Sequence, residues 1–585
     1  GSRFLSKGVN AVLPFDGMIP KNSIGYDLLH KPGFDKDSWI EQVKARFQEW
    51  GFNTVGAWSD ESLYEKSGLP FTPILHLTGN DAILRLFEDD FETFVRRRAE
   101  PQIGKWRNNS KLIGYFTDNE LPWYGRYGWP SGPPSLLERF LGLTSDKNGK
   151  RAAVEFIRNR YGNDFSAFRK AWRTEAASFE ELLKAPAPSP RAAGARRDIE
   201  EFLAVVADHY GQIVSRVLDE LDPNHLNLGV RYAGNAPDSV LAALGPYLDV
   251  VSLNLYRKDG HIPRRHLRRI HTLSGGKPIL ITEFSYRAME NRSGDRNERG
   301  ADVTVATQQE RAERLTSYLT ELLDLPFVVG YHWFLYFDQS PGGRTLDGEN
   351  SNYGLVDIYD SPYLEVTRAL ARIGERAEVL HGEAEPVPPW TPAARIPRYD
   401  TPVITEPTVV IDRVHPPPSS VEWWGDEAGG ASGETVIPAG RNLFRARMKT
   451  GGGWGCGWTF PLESSRRRGR NLAGTKSLEI DAELEAGTIF FVFLNEAGVG
   501  PVGADTYAGD RGADGESYTS EELIARDGWT TYGVPLASFQ LRDVWGNQSG
   551  NDRLDLQAIT TIDLYFPGNQ GDFSMGLSRI RALSQ

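Results

Sequence analysis

The chain has 585 residues, 40% hydrophobic and 25% charged, a globular balance that excludes collagen-like, wholly disordered and coiled-coil chains. Its 66 basic against 78 acidic side chains leave a net charge of −12, the wrong sign for a surface that binds nucleic acid. No apolar run approaches the roughly 18 residues of a membrane span, and the single cysteine, Cys456, excludes an intrachain disulfide and any Cys-based zinc site.

The sequence opens Gly1-Ser2 without a methionine and reads as a cloning remnant, so a cleaved leader would not be visible and location is inferred from function. From Phe4 onward, short runs rich in β-branched and aromatic residues alternate with longer helical patterns. Eight such runs are predicted strands: 5–12, 54–58, 72–77, 112–116, 226–232, 250–256, 278–282 and 327–334. Between the first two, Trp39, Ile40, Val43, Phe47 and Trp50 recur at helical spacing and predict a helix over 38–50. Eight strands alternating with helices over residues 1–382 predict a (β/α)8 TIM barrel, an α/β fold. Its largest insertion, about 121–196, follows the fourth strand, where an aromatic loop leads into helical sequence over 150–184.

Residues 383–418 are dense in proline and predict a linker. Beyond it, over 419–585, short alternating runs separated by Gly, Asp and Asn predict an all-β sandwich. The Gly- and Asp-rich loop 498–517 lacks EF-hand spacing and is either flexible or bound to a structural calcium, and no cofactor is expected. Trp423, Trp424, Trp454, Trp458 and Trp545 are either sandwich core or a stacking face.

In a barrel the C-terminal ends of the strands face the active site, so the residues just beyond each apolar run carry the chemistry. The fourth run continues Thr117-Asp118-Asn119-Glu120 and the seventh Thr282-Glu283-Phe284, and closure brings strands four and seven across one pocket. Two opposed carboxyls are what glycoside hydrolysis needs, one to protonate the leaving oxygen and one to attack or stabilise the oxocarbenium-like centre. An amide at Asn119 is placed to bond a sugar 2-hydroxyl.

An Asn-Glu ending of strand four with Glu ending strand seven resembles the clan of retaining glycoside hydrolases on (β/α)8 barrels. Within it, Gly51-Phe52-Asn53-Thr54-Val55-Gly56, Gly114 to Leu121, Gly330-Tyr331-His332-Trp333-Phe334 and Gly348 to Asp357 resemble β-agarases of glycoside hydrolase family 50. The resemblance implies Glu120 as general acid/base, Glu283 as nucleophile, and retention through a glycosyl-enzyme intermediate. It also implies Trp333 as the strand-eight aromatic under the sugar. The family pattern places a sandwich before the barrel, whereas here the sandwich-like part follows it and resembles jelly-roll carbohydrate-binding modules through Gly528 to Leu536.

Strand-end logic adds further candidates. Tyr256 is placed to hold the nucleophile, and His76, Arg231, Asn254 and His332 to bind hydroxyls. Trp58, Trp123, Tyr124, Trp129, Asp338, Gln339, Glu349 and Asn350 are candidate subsite walls. The expected activity is exo-cleavage of a β-linked, galactose-containing, agar-like polysaccharide or its oligosaccharides by a secreted, periplasmic or cell-surface enzyme. The rivals are a clan-related β-galactosidase or β-glycanase on a sulfated or acidic glycan, met by Arg287, Arg292, Arg296 and Arg299, and an inactive glycan-binding barrel. A phosphate enzyme is disfavoured because Gly342-Gly343 alone makes no phosphate loop. Oligomeric state is not legible.

Overall fold

In the computed structural model, residues 4–123, 134–190 and 193–390 are described apart from 259 and 302, as are the strand-bearing segments between 408 and 583, without the loops 412–420, 426–430, 436–443, 451–454, 463–469, 497–515 and 547–553 and a few single residues. The first unit is a parallel sheet in the order Thr54–Val55, Ser6–Val9, Val328–Trp333, Ile279–Phe284, Val251–Asn254, Leu226–Ala233, Gly114–Asn119. These seven strands correspond to seven of the eight predicted runs. The remaining run forms no ladder, yet it closes the circle: Phe71 bridges Val55 on one side and Leu112 on the other, and Ile74 bridges Phe116. Pro70 and Pro73 explain the difference, since neither has an N–H to give a regular ladder.

Helices follow the apolar spacing. Lys36–Trp50 buries the five predicted residues, starts on an Asp35 side chain that accepts from the Ser38 amide, and ends at Gly51 with φ +81°. The insertion after the fourth strand position is helical at Leu136–Leu141, Asn148–Arg160 and Phe165–Ala171, and the long helix Ala193–Leu221 returns the chain to the barrel.

The C-terminal strands form two antiparallel sheets. One runs Ser432–Thr435, Phe444–Thr450, Gly571–Leu583, Ser477–Leu484, Gly528–Pro535; the other runs Glu422–Gly425, Cys456–Pro461, Ile559–Phe566, Ile489–Glu496, Glu516–Thr519, Gln540–Gly546. Period-two alternation puts Cys456, Trp458, Phe460, Val492, Leu564 and Phe566 into the core between them. On the other face of the second sheet, Trp424 stacks 5.8 Å from Tyr565, which stacks 5.0 Å from Phe493. The barrel's outer helices reach this sheet: the Arg196 guanidinium lies 5.9 Å from the Phe491 ring, Arg197 pairs with Glu522 at 2.8 Å, and Arg265 pairs with Glu516 at 2.5 Å. Trp458 is thus core and Trp424 lies on the outer sheet face, while the Trp454 and Trp545 side chains lie outside the described residues, as does most of the loop 498–517.

Both side chains of the Arg265–Glu516 pair are buried, at 7% and 0% exposure. Removing one partner of such a pair strands the other charge, at a cost of about 3–5 kcal/mol. Arg265→Met is therefore expected to lower the denaturation midpoint measurably; an unchanged midpoint would show that the pair does not hold the two units together.

Candidate active site

Four consecutive strand ends leave the sheet through non-glycine residues with positive φ: Ala11 (51°), Trp58 (60°), His76 (50°) and Glu120 (48°). The left-handed conformation turns each chain off its strand, and such strained positions gather where side chains must be aimed at one point. At Glu120 the turn is fixed by its amide, which donates to the Arg231 carbonyl on the neighbouring strand at 2.9 Å.

Glu283, at the end of Ile279–Phe284, is buried and held from two sides. Tyr256 Oη donates to its Oε2 at 2.7 Å, and Arg231 Nη1 lies 3.0 Å from its Oε1. Arg231 is itself fully buried, donates to Asn119 Oδ1 at 3.1 Å and to the Thr282 carbonyl at 2.7 Å, and sits 4.2 Å from the centre of the Trp58 ring. Glu120 faces this cluster and has a different environment. Asn254 Nδ2 donates to its Oε1 at 2.9 Å, and Asn254 is oriented by Thr282 Oγ1, which donates to its Oδ1 at 2.8 Å. Burial first, and the Glu283 charge second, push the Glu120 carboxyl up to about 7, against the opposing pull of Asn254 and Arg231. Two carboxyls thus share one pocket, one kept protonated near neutrality and one cradled by a cation and a phenol.

Around them, Trp58 Nε1 donates to His76 Nε2 at 3.0 Å, and the Phe334 ring stands between Trp58 (6.2 Å) and Tyr353 (5.7 Å). Glu349 adds a third carboxylate, gripped by Gln339 Nε2 at 2.6 Å and Arg344 at 2.9 Å; burial raises its pKa against the pull of Arg344.

No protein-family model matches the chain. It is 29% identical over 358 residues to Beta-agarase B of Vibrio sp. (strain JT0107), covering 58% of this chain and 36% of that protein. Beta-agarase A of the same strain is 30% identical over 360 residues, covering 57% and 35%. A solved exo-β-agarase structure superposes with a TM-score of 0.51 at 27% identity, covering 60% of this chain and 48% of that one. The chain is similar to β-agarases. It spans about a third of the length of these curated relatives and about half of the solved structure.

With the agarase-like barrel in view, the predicted residues separate. Glu120, Glu283, Asn119, Arg231, Asn254, Tyr256, Trp58, His76 and Glu349 come together at the barrel mouth. Four others do not reach it. Trp333 has no exposed surface: its indole donates to the Tyr353 carbonyl at 2.9 Å and packs edge-on against Phe284 at 5.2 Å, because strand alternation turns it toward the outer helices. The aromatic at the mouth is Phe334, one residue later, a position that the same alternation signals. His332 points into the barrel, fully buried, its Nε2 2.8 Å from Ser6 Oγ, over Gly8, where a Cβ would lie 2.5 Å from the imidazole. Burial, then the Arg231 charge, lowers its pKa to about 3, so it is a neutral packing group. Trp123 is buried in the core, edge-on to Tyr210 at 6.5 Å. Asn350 spends its Oδ1 on the amides of Glu298 (3.2 Å) and Arg299 (3.1 Å), bracing a loop. Tyr124 and Trp129 lie outside the described residues.

Asp118 is likewise structural, accepting from the amides of Thr78 and Gly79 and from Tyr210 Oη. Of the four arginines after the seventh strand position, Arg287 is buried on Thr304, Arg299 and Ser351, and Arg292 pairs with Asp357 at 2.6 Å. Arg296 and Arg299 line a cavity of about 540 Å³ between the loops bearing Gly294 and Gly348.

Proposed function

We propose that this chain is a retaining glycoside hydrolase that cleaves a β-linked, galactose-containing, agarose-like polysaccharide or its oligosaccharides. The observation that carries the reading is the division of labour between the two carboxyls: Glu120 raised to about 7 by burial and by Glu283, and Glu283 held by Arg231 and Tyr256. Glu283 attacks the anomeric carbon as Glu120 protonates the departing oxygen. Esterification then removes the Glu283 charge and with it the repulsion that raised Glu120, which becomes acidic enough to take a proton from the incoming water. Asn119 spends its Oδ1 on Arg231 and Asn254, which leaves its amide N–H groups to meet the sugar 2-hydroxyl. Trp58 and Phe334 offer apolar faces to the ring. All groups in this scheme come from the chain, so no cofactor enters it. Similarity to β-agarases supports the agarose-like substrate and similarity to an exo-β-agarase supports release from a chain end; a polymeric substrate would support a location outside the cytoplasm.

The test is to incubate the protein with agarose, porphyran, carrageenan and neutral β-galactans, identify products by mass spectrometry, and follow the first-formed anomer by NMR. A single disaccharide released from agarose with retained configuration is expected. An inverted anomer rejects a glutamate nucleophile. The Arg296 and Arg299 cavity favours one second reading, a sulfated or acidic galactan, which cleavage of porphyran or carrageenan with agarose untouched would establish.

At Asn254 the hydrogen bond to Glu120 sets a pH dependence. Because its amide donates to the charged form of Glu120, Asn254→Ala removes a stabiliser of the anion and raises the Glu120 pKa further. The basic limb of kcat/KM is then expected to move to higher pH, and Thr282→Val, which frees the Asn254 amide to rotate, should move it the same way by less. A limb that stays fixed in both variants would assign Asn254 to substrate contact alone.

A further inference from the structure

The Trp58 ring stands over the cation that holds Glu283, and a histidine fixes that ring. Trp58 and His76 both have positive φ (60° and 50°), although neither is glycine. Their backbones are pinned on either side. The Ala57 amide donates to Asn10 Oδ1 at 3.0 Å and the Asp60 amide to the Val12 carbonyl at 2.9 Å, while the amides of Leu75 and Leu77 donate to the Phe116 and Thr117 carbonyls at 2.9 and 3.0 Å. The two strained conformations are thus imposed by the pairing of the barrel strands, and they bring the two side chains together at the mouth. The indole has one polar atom, Nε1, which can only donate, and it donates to His76 Nε2 at 3.0 Å. Nε2 therefore presents its lone pair, and the imidazole is neutral with its proton on Nδ1.

The same indole covers the Arg231 guanidinium at 4.2 Å, Phe116 lies 5.3 Å from that guanidinium, and Phe334 stands edge-on to the indole at 6.2 Å. Such contacts set the plane of a half-buried indole but leave it free to rotate within that plane; the hydrogen bond to His76 removes this freedom. The consequence reaches the reacting pair, because Arg231 Nη1 lies 3.0 Å from Glu283 Oε1. A protonated imidazole carries hydrogen on both nitrogens and cannot accept from Trp58. The charged groups that face His76 are two cations, Arg231 on the strand Leu226–Ala233 and Arg98 on the helix Phe91–Trp106. Burial first, then these two charges, lower the His76 pKa from its ordinary value. The neutral ring therefore persists around neutrality, and its bond to Trp58 is lost only on the acid side.

We propose that His76 is a positioning residue: as its Nδ1–H tautomer it locks Trp58 over Arg231, so that the Arg231–Glu283 pair and the indole face at the mouth keep one geometry, and protonation of His76 releases the lock. The inference rests on the hydrolase reading only where activity is measured, since the lock belongs to the free protein.

The test uses the full chain labelled with fluorotryptophan, in which the Trp58 fluorine resonance, assigned by its loss in Trp58→Phe, is followed as the pH is lowered. The wild type is expected to show a shift with its midpoint below the ordinary histidine value of about 6.5. His76→Gln should lack it, because a side-chain amide oxygen accepts from the indole without titrating. Asparagine tolerates positive φ and does not titrate either, so His76→Asn takes the place of that variant should it not fold. Where a galactan is cleaved, His76→Gln should stay within about threefold of the wild-type kcat/KM at neutral pH and gain on it toward acid, whereas His76→Phe, which accepts nothing, should lose about five- to tenfold, mainly in kcat. A Trp58 resonance that does not move below about pH 6.5 in the wild type, or that moves equally in His76→Gln, overturns the lock. Equal losses in His76→Gln and His76→Phe with an unchanged pH profile overturn it as well and leave His76 a packing group. If no glycan is cleaved while the His76-dependent shift is present, the hydrolase reading fails and the lock stands.

Discussion

Glu283→Gln is expected to lower kcat/KM by roughly four to six orders of magnitude, the scale seen when a covalent nucleophile is removed from an otherwise intact site. The amide keeps the volume, its single oxygen can accept from Arg231 and its NH2 can donate to Tyr256 Oη, so the far-UV spectrum should stay near that of the wild type. A second effect comes from the electrostatics. Glu283 is the second-largest cause of the raised Glu120 pKa, so its neutralisation lets Glu120 titrate at lower pH, as the proposed mechanism requires of the glycosyl-enzyme. A carboxyl-selective infrared or NMR titration of the variant should show this fall. A Glu283→Gln protein that keeps about a tenth of its activity would sink the nucleophile assignment whatever Glu120 does.

The positions of Glu120 and Glu283 were legible because an apolar run that stops at a carboxylate names both a strand and its end. What each carboxyl touches was not. Arg231 reads as one more polar strand end, and its pairing with Glu283 depends on the register between nonadjacent parts of the chain. Asn254 reads as a hydroxyl ligand, yet its amide lies on Glu120, 134 residues away in sequence. The motif around His332 and Trp333 points to the wrong ring: an aromatic motif draws the eye to the tryptophan, while alternation along the strand puts residues 332 and 334 on the inner side and sends 333 outward. Pro70 and Pro73 were visible as residues, and they predict the broken ladder of the third barrel segment better than its apolar content does. The cover on the sandwich's aromatic sheet face was beyond reach, because Arg196 and Arg265 approach it from helices of the other unit.

The pH dependence ties the site together. In the proposed mechanism Glu120 enters the reaction protonated, and its pKa is raised to about 7. With a raised pKa the competent, protonated form dominates below that value and is lost above it, so kcat/KM should fall with increasing pH through about 7, by about a decade per pH unit at the limit. Glu120→Gln keeps a neutral side chain at all pH values but has no proton to give. It is expected to lose about 10²–10⁴ in kcat/KM on a natural galactan, whose leaving sugar needs protonation, and far less on a dinitrophenyl glycoside, whose leaving group does not. On that activated substrate the basic limb should vanish, because the group that titrates is gone, and turnover should slow after an initial burst, because water no longer finds its base. Added azide, which attacks the glycosyl-enzyme without deprotonation, should then restore turnover and yield the β-glycosyl azide. Persistence of the limb near pH 7 in Glu120→Gln would mean that another group, with Glu349 the first to examine, carries the proton; a limb removed only by substitution at Glu349 would move the acid role there, since that carboxyl too is raised by burial and faces the same pocket.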